Sequence, residues 1–111
     1  MTPITKANFV GQREFEQLIA SNELVVAEHT ASWCSACSLI TPLIDKLATE
    51  YSERVNVVKV DISKSPDNTI NYGILDIPAV LIFRNGELIQ SLFGLQPYEN
   101  FSNILEAQLK L

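Results

Sequence analysis

The stretch Leu24-Val25-Val26-Ala27-Glu28-His29-Thr30-Ala31-Ser32-Trp33-Cys34-Ser35-Ala36-Cys37 decides the fold. Its opening is apolar and rich in β-branched residues, so residues 24–30 read as a buried strand. Beyond the cysteines, Leu39, Ile40, Leu43, Ile44 and Leu47 recur at three and four residues, which predicts an amphipathic helix over about residues 34–51. Pro42 lies inside that helix and should kink it, because proline brings no backbone donor and crowds the preceding turn. Cys34 and Cys37 therefore stand where a buried strand ends and a helix begins. Unpaired N–H groups and the positive end of the helix dipole favour a thiolate there, which makes Cys34 the nucleophile. Cys37, three residues on, is placed to attack a mixed disulfide at Cys34 and to close the pair.

The same spacing could supply half of a zinc site, but the chain has two cysteines and one histidine, His29, short of four ligands. No metal is expected. A structural disulfide closing so short a loop would add little stability, so redox chemistry is the better reading.

Outward from this centre, Phe15, Leu18 and Ile19 predict a helix over residues 11–20. A second strand spans residues 55–62, and Ser65-Pro66 suits a short helix start. Residues 79–93 read as strand, Asn85-Gly86, strand, a dipeptide that favours a tight hairpin. Pro97 opens a last helix with Phe101, Ile104, Leu105 and Leu109 facing the core. The order implies an α/β fold, a mixed sheet covered by helices on both faces.

At 111 residues, 47% of them hydrophobic, the chain suits a single domain over residues 1–111. A formal charge of −5 argues against nucleic acid and anionic membranes as partners. The apolar runs are far shorter than the roughly 20 residues that span a bilayer. Residues 1–8 carry no signal-like apolar segment, so a cytoplasmic protein is expected, although a chain whose leader had been removed would read the same.

The sequence resembles the thioredoxin family along nearly its whole length. The resemblance rests on Glu28 six residues before the first cysteine, Trp33-Cys34-x-x-Cys37, Pro42, Lys59 on the next strand, Ile77-Pro78, Phe83-Arg84-Asn85-Gly86 and Gly94. It implies the thioredoxin fold, a redox-active Cys34–Cys37 pair and no separate cofactor. It also implies protein disulfides as targets, a thioredoxin-reductase-type electron donor and a monomer. Pro78 would follow a cis peptide bond, the backbone of Ile77 would pair with an extended substrate segment, and Trp33, Ile77, Pro78, Gly94 and Leu95 would form a shallow apolar docking face. Trp33 alone suits a partly buried packing residue equally well.

Several positions depart from the family's usual residues. Glu28 stands where aspartate is usual. A carboxylate in an apolar strand is costly unless paired or protonated, so its pKa should rise and it becomes a candidate proton shuttle to Cys37. Its extra methylene could instead turn it toward Lys59. Ser35-Ala36 replaces the usual Gly-Pro, which should alter the reduction potential in a direction the sequence leaves open. Asp76 occupies a position that is often glycine, and a negative charge there opposes a Cys34 thiolate and repels acidic partners. Thr30 replaces an aromatic residue, and His29 reads as a satisfied histidine on a packed strand rather than a base. The leading expectation is a reductant of protein disulfides. An oxidase or isomerase using the same residues, and a binding module in which the cysteines are incidental, stay open.

Overall fold

A computed structural model describes residues 5–111; the single-domain expectation also takes in residues 1–4, which lie outside the described part. Among the described residues a five-stranded sheet is ordered β1-β3-β2-β4-β5, with β1 spanning Asn8–Phe9, β2 Leu24–Thr30, β3 Asn56–Asp61, β4 Ala79–Arg84 and β5 Glu87–Phe93. β2 runs parallel to β3 and antiparallel to β4, so the sheet is mixed. All seven residues of β2 are buried, which is why its first four, residues 24–27, read as a continuous apolar run rather than an alternation, while Glu28, His29 and Thr30 are polar residues buried with them.

The pleat sends alternate residues of β2 into two separate cores. Leu24 and Val26 pack with Ile40, Ile44 and Leu47 of helix α2 (Cys37–Glu50) and with Phe101 and Leu105 of α4 (Tyr98–Leu109). Val25 and Ala27 pack on the other face with Phe15 and Ile19 of α1 (Gln12–Ser21). Phe15 meets the rings of His29, Tyr72 and Phe83 edge to face, with centroids 6.0, 6.2 and 5.5 Å away. The short α3 (Asp67–Asn71) brings buried Asn68 to His29. Helices thus cover both faces, as the element order implied.

The hairpin forms at Asn85-Gly86, where φ is +51° and +85°, values that asparagine and glycine tolerate best. Strand β1 has no counterpart in the sequence reading. Two residues carry no periodicity, and β1 exists only because β3 offers it a parallel edge, pairing Asn8 with Val58 and Phe9 with Lys59. Asp45 Oδ1 ties the same region down, accepting from Ala7 N–H and pairing with Lys59 Nζ, each at 2.9 Å.

Ile44 is fully buried in the α2 core. Ile44→Val removes one methylene from a site that cannot fully collapse, so it should cost about 1 kcal/mol, read as a lower urea midpoint with an unchanged slope. An unaltered midpoint would show that the α2 face is loosely packed.

Candidate functional site

The buried strand β2 delivers the chain to Trp33 and Cys34, and α2 carries it away. The helix begins at Cys37, three residues later than the periodicity implied. Cys34, Ser35 and Ala36 form a tight entry instead, with Cys34 N–H donating to Ala31, Ser38 N–H to Ser35 and Leu39 N–H to Ala36, at 3.1–3.2 Å. Apolar spacing cannot see this, because these three-residue bonds replace helical ones only at the terminus.

Cys34 and Cys37 are disulfide-bonded, their Cα atoms 5.4 Å apart. The backbone N–H of Cys37 donates to Cys34 Sγ at 3.2 Å. The same donor would stabilise a thiolate on Cys34 once the bond is reduced. The two sulfurs are not equivalent to solvent: Cys34 is half-buried, whereas Cys37 is only 2% exposed.

Glu28 lies on the α2 side of β2, fully buried. Thr41 Oγ1 donates to its Oε2 at 2.9 Å, and Oε1 has no hydrogen-bond partner among the described residues. The same hydroxyl lies 3.1 Å from the carbonyl oxygen of Cys37, so Thr41 links the carboxyl to the turn that carries the second cysteine. Burial pushes the pKa of Glu28 up to about 7, against smaller lowering effects of the Thr41 bond and the Lys59 charge. Lys59 lies opposite Glu28 in the β2–β3 register, but its ammonium pairs with Asp45. The pairing of Glu28 with Lys59 that its length allowed is therefore not formed. Thr41 and Asp45 escaped the sequence reading because a helix residue's partner on a neighbouring strand is set by packing.

On the opposite face His29 is also fully buried. Nδ1 lies 3.1 Å from the Ala27 carbonyl and Nε2 3.0 Å from Asn68 Nδ2, an arrangement that a neutral ring with Nδ1–H satisfies. Burial lowers its pKa to about 4. His29 points away from Glu28 and is held as a packed, satisfied histidine.

Beside the disulfide, Cys34 Sγ lies 3.9 Å from the carbonyl oxygen of Ile77. The Ile77–Pro78 peptide bond is cis. Gly94 N–H donates to the Pro78 carbonyl at 2.8 Å, which brings the β5 end beside that turn. Trp33 is 71% exposed and Leu95 59%, large values for apolar side chains. A cleft of about 210 Å³ is lined by Trp33, Cys34, Thr69, Leu75, Asp76 and Ile77, among others. Leu75, almost wholly exposed, and Thr69 join it without a signal in the sequence, whereas Gly94 and Leu95 lie outside it, as does Pro78, whose side chain is buried beneath the expected docking face. Asp76 Oδ1 accepts from Ile77 N–H at 3.0 Å.

Comparison with known proteins agrees with this geometry. The family model "Thioredoxin" matches residues 6–107. A thioredoxin of Staphylococcus epidermidis is 30% identical over 100 residues, 90% of this chain and 95% of that protein, and one of Staphylococcus aureus is 28% identical over the same shares. In fold the chain is similar to a mutant thioredoxin from Halobacterium salinarum, with TM-score 0.85, 24% identity and coverage of 100% of this chain and 97% of that one. It is also similar to the Malassezia sympodialis thioredoxin, with TM-score 0.84, 24% identity and coverage of 97% and 96%. With a family match over most of its length and a Cys34–Cys37 pair at disulfide distance, the chain belongs to the thioredoxin family and is a thiol–disulfide oxidoreductase.

Proposed function

We propose that the chain reduces protein disulfides, with Cys34 attacking, Cys37 resolving and Glu28 handling the proton. The carrying observation is the asymmetry of the pair: the accessible sulfur receives the Cys37 N–H at 3.2 Å, and the second sulfur is buried. The Cys34 thiolate attacks one sulfur of the target disulfide, forming a mixed disulfide and expelling the other sulfur as a thiolate. Glu28 takes the proton of the Cys37 thiol, and the resulting thiolate attacks Cys34 Sγ, closing the internal disulfide and releasing the second target thiolate. Two electrons pass from the dithiol to the target. A carboxyl that titrates near 7 suits that proton transfer at neutral pH.

Trp33, Ile77, Gly94 and Leu95 form the docking surface over the buried Pro78, with Ser35 and Ala36 tuning the potential and Lys59 biasing Glu28 from its pair with Asp45. The protein acts as one domain and as a monomer, in the cytoplasm, with no cofactor beyond its disulfide. A reductase of the thioredoxin-reductase type returns the electrons.

Direction is tested by equilibrating Cys34–Cys37 with glutathione. A reducing role requires a potential closer to about −270 mV than to about −120 mV. A value near the upper figure would reassign the chain to disulfide formation.

A further inference from the structure

We infer that Asp76 is a specificity residue, and that the site prefers disulfides whose cysteine is flanked by lysine or arginine. The inference deepens the reductant reading and rests on Cys34 as the attacking group.

A substrate cysteine bonded to Cys34 must bring its Cα within about 7 Å of the Cα of Cys34. Because Cys34 Sγ lies 3.9 Å from the Ile77 carbonyl, that cysteine and its neighbours must run along the Ile77 edge of the cleft. Asp76 sits on that edge, exposed, and its carboxylate is held by the Ile77 N–H at 3.0 Å rather than by any cation among the described residues. Of the side chains lining the cleft, Asp76 alone carries a charge. Residues 29–44, which carry the disulfide, and residues 88–98, whose Gly94 meets the Pro78 carbonyl, contain no Lys, Arg, Asp or Glu, while the segment that brings Ile62 and Thr69 to the cleft carries Asp61, Lys64 and Asp67 outside its lining. One fixed negative charge in an otherwise uncharged lining attracts a cationic neighbour of the target cysteine and repels an acidic one. The hydrogen bond from Ile77 adds a constraint. A segment that pairs its backbone with Ile77 must displace the carboxylate from that N–H, and a guanidinium or ammonium on the segment gives the displaced carboxylate a new partner.

The test uses three synthetic peptides that differ only in Lys, Gln or Glu after a single cysteine, each joined as a mixed disulfide to thionitrobenzoate. The Cys34 thiolate attacks the peptide sulfur, thionitrobenzoate leaves as a coloured thiolate, and Cys37 then frees the peptide thiol. Rates are divided by those with dithiothreitol, a neutral dithiol, to remove the intrinsic reactivity of each peptide. The Lys peptide should react about threefold faster than the Gln peptide and the Glu peptide about threefold slower, as expected of a solvent-exposed ion pair. The preference should fade in about 1 M salt, where the screening length is about 3 Å.

Asp76→Asn keeps an oxygen for Ile77 N–H and removes the charge, so its Lys-to-Glu ratio should fall to within about twofold. Equal rates for the three peptides in the parent would overturn the proposal. So would a ratio that Asp76→Asn leaves unchanged, since selection would then come from the overall charge of −5. Failure of the reductant reading looks different: no peptide would react faster with the parent than with Cys34→Ser.

Discussion

Cys34→Ser should lower the rate of insulin disulfide reduction by at least about a thousandfold, because a hydroxyl supplies almost no anion at neutral pH and the thiolate is the attacking species. Cys37→Ser should behave differently, although it too stops turnover. Attack at Cys34 survives in that variant, but nothing inside the protein breaks the mixed disulfide, so a one-to-one covalent adduct with the target accumulates and is read by mass spectrometry. The structure predicts this division of labour from exposure, Cys37 being 2% exposed and Cys34 only half-buried. Adducts trapped on Cys37 in Cys34→Ser would reverse the roles. Residual turnover of both variants near the parent rate would remove the cysteines from the mechanism.

The second large effect is expected at Glu28. Glu28→Gln should slow the resolving step about a hundredfold and flatten its pH dependence around 7, as loss of a positioned proton acceptor does. Its effect on stability has the opposite sign. Folded Glu28 keeps its proton up to about pH 7, whereas the unfolded group releases it near 4.5. The folded state therefore binds the extra proton in that interval. Stability from this group is fully present below about 4.5, falls as pH rises through 7, and is lower by about 3 kcal/mol above it. Glutamine cannot ionise, so the variant should gain on the parent with rising pH.

His29 acts in the other direction. Its folded pKa is depressed from 6.5 to about 4, so stability is present above 6.5 and is lost as pH falls toward 4. The two slopes nearly cancel between about 4.5 and 6.5 in the parent, and Glu28→Gln should expose the His29 slope alone. Urea unfolding at half-unit pH steps measures both. Parallel stability curves for parent and variant would show that Glu28 titrates alike in the folded and unfolded chain, and would remove it as a proton acceptor tuned to neutral pH.

Thr41 is the residue that makes this behaviour specific. Its single hydroxyl hydrogen faces two acceptors, Glu28 Oε2 at 2.9 Å and the Cys37 carbonyl at 3.1 Å, and can serve only one of them at a time. When Glu28 is ionised, the hydroxyl can donate to the carboxylate. When Glu28 is protonated, the carboxyl can donate to Thr41 Oγ1 and the hydroxyl can turn to Cys37. The extra methylene of glutamate is therefore accommodated by a helix hydroxyl, while Lys59 stays with Asp45.

The amino-acid order by itself determined the parts of this protein that depend on near neighbours. The β-branched run of β2, the stripe of α2 and the Asn85-Gly86 hairpin are repeats or turns within a few residues, and each sets a backbone preference without outside help. The redox pair belongs with them, since two cysteines three residues apart at a strand-to-helix junction meet in almost any arrangement of the rest. Packing between elements decided what no local pattern encodes. Strand β1 needed the edge of β3, Lys59 was claimed by Asp45 from α2, and Thr41 rather than Lys59 became the partner of Glu28. The cleft likewise formed only when the loop carrying Leu75 and Asp76 came to lie beside Cys34, more than 40 residues away in sequence. A buried polar group takes the nearest partner the folded geometry offers, and that geometry belongs to the whole chain.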